Sequence, residues 1–168
     1  MLKVFQNTIA KPIKFEGISL HSGKTSKITV FPGEGNQGII FKRVDLEENN
    51  LISANYENVS SARLCTTLEN KFGVKVSTVE HLLAALYIAE IDNAIIEIDN
   101  EEVPIMDGSA KNFLEILSET EIKTLPQKRK YLKIFNKVEY LDGERKISIE
   151  PNNSFFEVEF QLNYTNPI

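Results

Sequence analysis

The stretch "SKITVFPGEGNQGIIFKRV", residues 26–44, sets the fold: an alternating strand, a glycine-rich turn and a second strand. A similar stretch, "RKISIEPNNSFFEVEFQL", begins at Arg145. Lys27 to Pro32 aligns with Lys146 to Pro151, so the two read as copies of one strand-turn-strand unit, although any two β-meanders share this outline. In the second copy the leading strand is "YLKIFNKVEYL", with Leu132, Ile134, Val138 and Tyr140 on one face. Asp142-Gly143 is a hairpin signal, and "FFEVEFQLNY" is the last alternating strand. The first copy continues into a helix over 78–89, a strand in "NAIIEID", and a second amphipathic helix in "GSAKNFLEILSET" carrying Ala110, Phe113, Leu114 and Leu117. Two helices over one sheet face make an α+β, two-layer sandwich of a mostly antiparallel sheet across residues 1–126. Residues 127–168 then form the first strands of a second, similar but incomplete domain, whose uncovered sheet face is suited to self-association. The expectation is that the natural chain is longer.

Composition narrows the function classes. The chain has 168 residues, 42% of them hydrophobic, and a net charge of −5, which describes a folded chain without the basic stripe of a nucleic-acid binder. "KTLPQKRKYLK", residues 123–133, is the one basic cluster and reads as a solvated linker. Cys65 is the only cysteine, which fits a reducing compartment. "MLKVFQNTIAKPIKF" lacks the apolar segment of a signal peptide, and "LLAALYIA" is too short for a transmembrane span. A cytoplasmic protein is expected. "GEGNQG", residues 33–38, does not run into a helix and reads as a turn rather than a phosphate loop.

The helix in "STVEHLLAALY", residues 77–87, carries the candidate chemistry. Val79, Leu82, Leu83, Leu86 and Tyr87 fall on one helical face. Ser77 and Glu80 have the spacing of a capping box, which gives Glu80 a structural role. His81 lies about 200° round the wheel from Val79, beside Ala84, Ala85 and Ile88, where a hydrogen-bonded structural histidine is the ordinary reading. The other reading is chemical. A catalytic zinc commonly takes three protein ligands and a water, and a nearby carboxylate can accept the water's proton. Adjacent Glu and His residues can supply one ligand and one base.

Four stretches in order then become specific: "GISLHSG" (17–23), "RLCTTL" (63–68), "VSTVEHLLAAL" (76–86) and "IDNAIIEIDNEEVPIMDGSA" (91–110). Together they resemble the UDP-3-O-acyl-N-acetylglucosamine deacetylase family, zinc amidases that make the committed step of lipid A synthesis in Gram-negative bacteria. The resemblance covers nearly the whole chain. It implies two similar α+β domains with one zinc ion at their interface, His81 as a zinc ligand and Glu80 as general base. It implies that the remaining ligands, a His and an Asp, and the His acting as general acid come from a later motif outside this chain. The implied substrate is an acylated UDP-sugar, and this chain alone is expected to be inactive. By the same resemblance His21 lies close to the site, and the segment with Leu64 and Cys65 lines the substrate side. Asp107, with Ser109, reads as an N-cap of the second helix with a supporting role. Two other readings stay open: a naturally short, non-catalytic binding module, and a self-contained metal site made of His21, Cys65 and His81.

Overall fold

In the computed structural model, which describes residues 4–153 and 156–161, the sequence pattern is read out as one central sheet. Strands β1 (Phe5–Ile9), β2 (Ile13–Ile18), β3 (Thr25–Pro32), β4 (Ile39–Arg43) and β5 (Leu51–Ser53) come first. A 3-10 turn at Tyr56–Asn58 leads to β6 (Val59–Ser61), β7 (Thr67–Glu69), β8 (Lys75–Ser77) and helix α1 (Glu80–Ile88). Next come β9 (Ala94–Ile98), α2 (Lys111–Ser118) and β10 (Ile122–Lys128). The central sheet has the order β2-β3-β9-β4-β5, with β4 and β9 parallel and the other neighbours antiparallel. A three-stranded sheet β6-β7-β8 and the β1-β10 pair complete the unit.

The turn at residues 33–38 is present, but it does not close a meander. Strand β9 pairs with both β3 and β4 and separates them. The register explains why: Val30 opposes Ile96, Ile96 opposes Phe41, and Phe41 opposes Ile52. This row of four buried apolar side chains crosses four strands on one face. Ala94, Ile96 and Ile98 alternate with half-buried Ile95 and Glu97, the period-two pattern of a strand packed on one side. Helices α1 and α2 pack beside one another, and Leu82, Ala85, Leu86, Phe113 and Leu117 share the core with that sheet face. Tyr87 departs from its place on the helical wheel. It is exposed, and Ala85 takes the core position instead.

The chain divides into two compact units, Met1–Arg129 and Lys130–Ile168. The basic stretch read as a linker begins in β10, which pairs antiparallel with β1 from Ile9–Ile122 to Phe5–Lys128. The pairing with a free edge outweighs its polar composition. In the second unit, β11 (Val138–Asp142) and β12 (Arg145–Ile149) form a hairpin. Its two-residue loop is Gly143-Glu144 rather than Asp142-Gly143, since Asp142 pairs with Arg145. Gly143 has φ +60°, the left-handed first position of a II′ turn. Like β2 and β3, the two strands pair antiparallel, with a two-residue loop where β2 and β3 have six residues between them. Residues 131–137 and 156–161 form no strand, and Phe156, Val158 and Phe160 are exposed. Such edges gain little from pairing without a partner surface. The expected last strand also includes Phe155, Leu162 and Tyr164, which lie outside the described residues.

Candidate active site

Helix α1 begins differently from the capping box expected at Ser77. The residue before the helix is Val79, which makes no side-chain cap. Ser77 ends β8, and its backbone serves another segment: its amide donates to the Glu101 carbonyl at 2.9 Å, and its own carbonyl accepts from Val103 at 3.1 Å. Its hydroxyl also donates to the Glu101 carbonyl, at 3.2 Å. Between Ser77 and the helix, Thr78 turns the chain with φ +57°, an uncommon conformation for a β-branched residue. Glu80 is therefore released from capping. Its Oε2 accepts from the Thr66 amide at 3.1 Å, across 14 residues of sequence. Its Oε1 makes no hydrogen bond among the described residues. Next to it, His81 is half-buried, and its Nδ1 is buried with no hydrogen-bond partner.

A second carboxylate organises the surroundings. Glu102 is 3% exposed. Its Oε1 accepts from the His21 amide at 2.8 Å and the Thr78 hydroxyl at 3.2 Å, while Oε2 accepts from the Ser22 amide at 2.8 Å. Burial pushes its carboxyl up, but hydrogen bonds from His21, Ser22 and Thr78 outweigh this and hold it below the ordinary glutamate value. The Glu102 carbonyl also accepts from the Ser19 hydroxyl at 3.0 Å, and the Ile105 amide donates to the Ile18 carbonyl at 3.0 Å. Residues 101–105 thus lie between the end of β2 and the end of β8. The four singled-out stretches meet here through these bonds and the Thr66–Glu80 contact.

The remaining candidates hold varied positions. His21 is brought in through its backbone, and its side chain is exposed. Leu64 is 86% exposed and has φ +68°. Cys65 is half-buried, with Sγ 3.8 Å from Thr67 Oγ1. Asp107 is exposed and accepts from the Ser109 amide and hydroxyl at 3.0 and 2.9 Å; these bonds lower its carboxyl. Ser109 Oγ, not Asp107, accepts the Lys111 amide at the start of α2, at 3.1 Å. Neither holds the N-cap position, which is Ala110 with no side-chain cap; Asp107 instead fixes Ser109 in the turn before the helix. Among the described residues no three His, Cys, Asp or Glu side chains converge to hold a metal ion, which removes the site made of His21, Cys65 and His81. Sequence reading missed Glu102 and Thr78. Nothing local in the sequence marks the contacts of the first or the φ of the second.

The family model of UDP-3-O-acyl N-acetylglycosamine deacetylase matches residues 6–168. The chain belongs to this family. It is 42% identical over 164 residues to the UDP-3-O-acyl-N-acetylglucosamine deacetylase of Geotalea uraniireducens, covering 98% of this chain and 53% of the relative. The corresponding proteins of Shewanella frigidimarina and Citrifermentans bemidjiense are 41% and 42% identical over the same shares. The chain spans about half the length of these deacetylases. No helix among the described residues is long and apolar enough to cross a membrane.

Proposed function

We propose that this chain is the N-terminal part of a zinc-dependent amidase that removes acetate from an acylated UDP-N-acetylglucosamine in the cytoplasm, as a step of lipid A synthesis. The observation that carries the reading is the pair at the start of α1. Glu80 is anchored through one carboxylate oxygen, which leaves the other free to act, and the adjacent imidazole of His81 has a buried nitrogen with no partner in the protein. An orphaned buried polar atom of this kind calls for an explanation, and a metal ion is one.

The donor set fits a metal in part. His81 would hold it, and the absence of a converging cluster among the described residues leaves the other ligands to be supplied elsewhere, as a site of three protein ligands requires. When bound, zinc supplies Lewis acidity and lowers the pKa of a coordinated water. Glu80 performs the proton transfer at Oε1, taking the proton of the attacking water while the Thr66 amide fixes Oε2. The fixed carboxylate holds its acceptor in one place, which lowers the reorganisation needed as the amide carbonyl is attacked. An acid outside this chain then protonates the departing amine of the sugar. In the full-length gene product, Glu80→Gln lowers turnover at least about a hundredfold without loss of folding. Unchanged turnover removes Glu80 from the base role.

A further inference from the structure

We infer that Glu102 is a positioning residue: its buried carboxylate locks the turn carrying His21 to Thr78 at the start of α1, and thereby sets the placement of Glu80 and His81. The inference rests on the proposed amidase reading and adds to it a residue that does not itself touch the reacting atoms.

Glu102 does not match an ordinary structural carboxylate. Among the described residues no cation pairs with it, and its partners are two consecutive backbone amides and the hydroxyls of Thr78 and Ser22. The carboxylate is itself held from both sides through its backbone. Its amide donates to Asn100 Oδ1 at 2.9 Å, its carbonyl accepts from Ser19, and Val103 next to it pairs with Ser77. Oε1 is therefore a fixed point that receives both the His21 amide and the Thr78 hydroxyl.

The consequence falls on the two residues at the start of α1. The Thr78 backbone is in the left-handed region, a conformation that persists only when its surroundings hold it. The hydroxyl bond to Glu102 is one such hold, and burial of Val79 is another. Glu80 and His81 come directly after Val79, so a rotation at Thr78 moves both together. The carboxylate of Glu80 would then leave the Thr66 amide, and the relation between base and imidazole would change. Small misplacements at a reacting centre are enough to reduce rate strongly.

The test uses Glu102→Gln, with Thr78→Ala and Thr78→Ser as a second pair. Hydrogen exchange is read in the 168-residue chain, and amide hydrolysis of the acylated UDP-sugar is read in the full-length gene product. In Glu102→Gln the His21 and Ser22 amides exchange at least about tenfold faster, while the amides of Leu86 and Ile96 in the core keep their protection. The kcat falls at least about tenfold with KM within about twofold, because placement of the reacting groups is disturbed rather than substrate contact. Thr78→Ala changes in the same direction, and Thr78→Ser, which keeps the hydroxyl, retains the wild-type kcat. The Thr78 pair decides the matter if Glu102→Gln does not fold. Unchanged exchange at His21 and Ser22 overturns the inference. So does an unchanged kcat once those amides have loosened, or a loss of core protection that accounts for the fall. A wild-type full-length product without amide hydrolysis overturns the amidase reading instead, and the clamp then stands or falls on the exchange data.

Discussion

Leu86 and Tyr87 are neighbours that a helical wheel assigns to one apolar face, and the structure separates them. Leu86 is 1% exposed in the shared core of sheet and helices, while Tyr87 is 70% exposed. Replacing Leu86 by Ala removes three buried carbons and leaves a cavity that rigid neighbours fill only in part. Such a change destabilises by about 2–5 kcal/mol. Tyr87 lies outside that core, and replacing it by Ala costs much less, about 1 kcal/mol or below. With a urea dependence of about 2 kcal/mol per molar, Leu86→Ala lowers the unfolding midpoint by roughly 1–2.5 M, a shift far outside error. Urea unfolding of the 168-residue chain, followed by far-ultraviolet circular dichroism, gives both values. The consequence reaches the candidate site, because Leu86 holds down the helix whose first turn carries Glu80 and His81. Equal losses for the two variants would refute the placement of α1.

Acid sensitivity offers a second check. Glu102 has a folded-state pKa below its ordinary value of 4.5, so its contribution to stability is present above that value and is lost as pH falls through the folded pKa. The urea midpoint of the wild-type chain therefore drops more steeply below pH 4.5 than that of Glu102→Gln; parallel curves would show that the carboxylate is not held by its amide partners. Zinc titrated into the 168-residue chain by calorimetry binds weakly, since His81 supplies one ligand of the three that a catalytic site commonly takes. Tight one-to-one binding would mean that the chain closes a site by itself. Limited proteolysis cuts first within 130–137, where the backbone is irregular and mostly exposed, and spares β10; early cleavage inside Ile122–Lys128 would contradict its pairing with β1.

Much of the fold is legible in the sequence because it rests on periodicity. The alternation in "NAIIEID" gives β9, and the spacing of Phe113, Leu114 and Leu117 gives α2. Pairing partners are less legible, since nothing local states that β9 inserts between β3 and β4. That outcome depends on matching Ile96 to Val30 and Phe41 over long sequence distances. The start of α1 misleads for a similar reason. Ser77 and Glu80 satisfy a local capping pattern, but backbone bonds to residues 101–103 claim Ser77, and the Thr66 amide claims Glu80. Glu80 and His81 are visible as candidates, whereas Glu102 is not, because its role arises only when three distant stretches converge. In the second unit, alternation in "FFEVEFQLNY" promises a strand that residues 156–161 do not form. Alternating side chains favour a strand only where a neighbour pairs with it.

The central claim is tested most directly by the zinc content of the purified full-length gene product beside its His81→Ala and Glu80→Gln variants. About one zinc per chain is expected in the wild type and in Glu80→Gln, and less than about a tenth of that in His81→Ala. Full zinc content in a folded His81→Ala protein would contradict the claim, because the metal would then be held without the residue that the start of α1 presents.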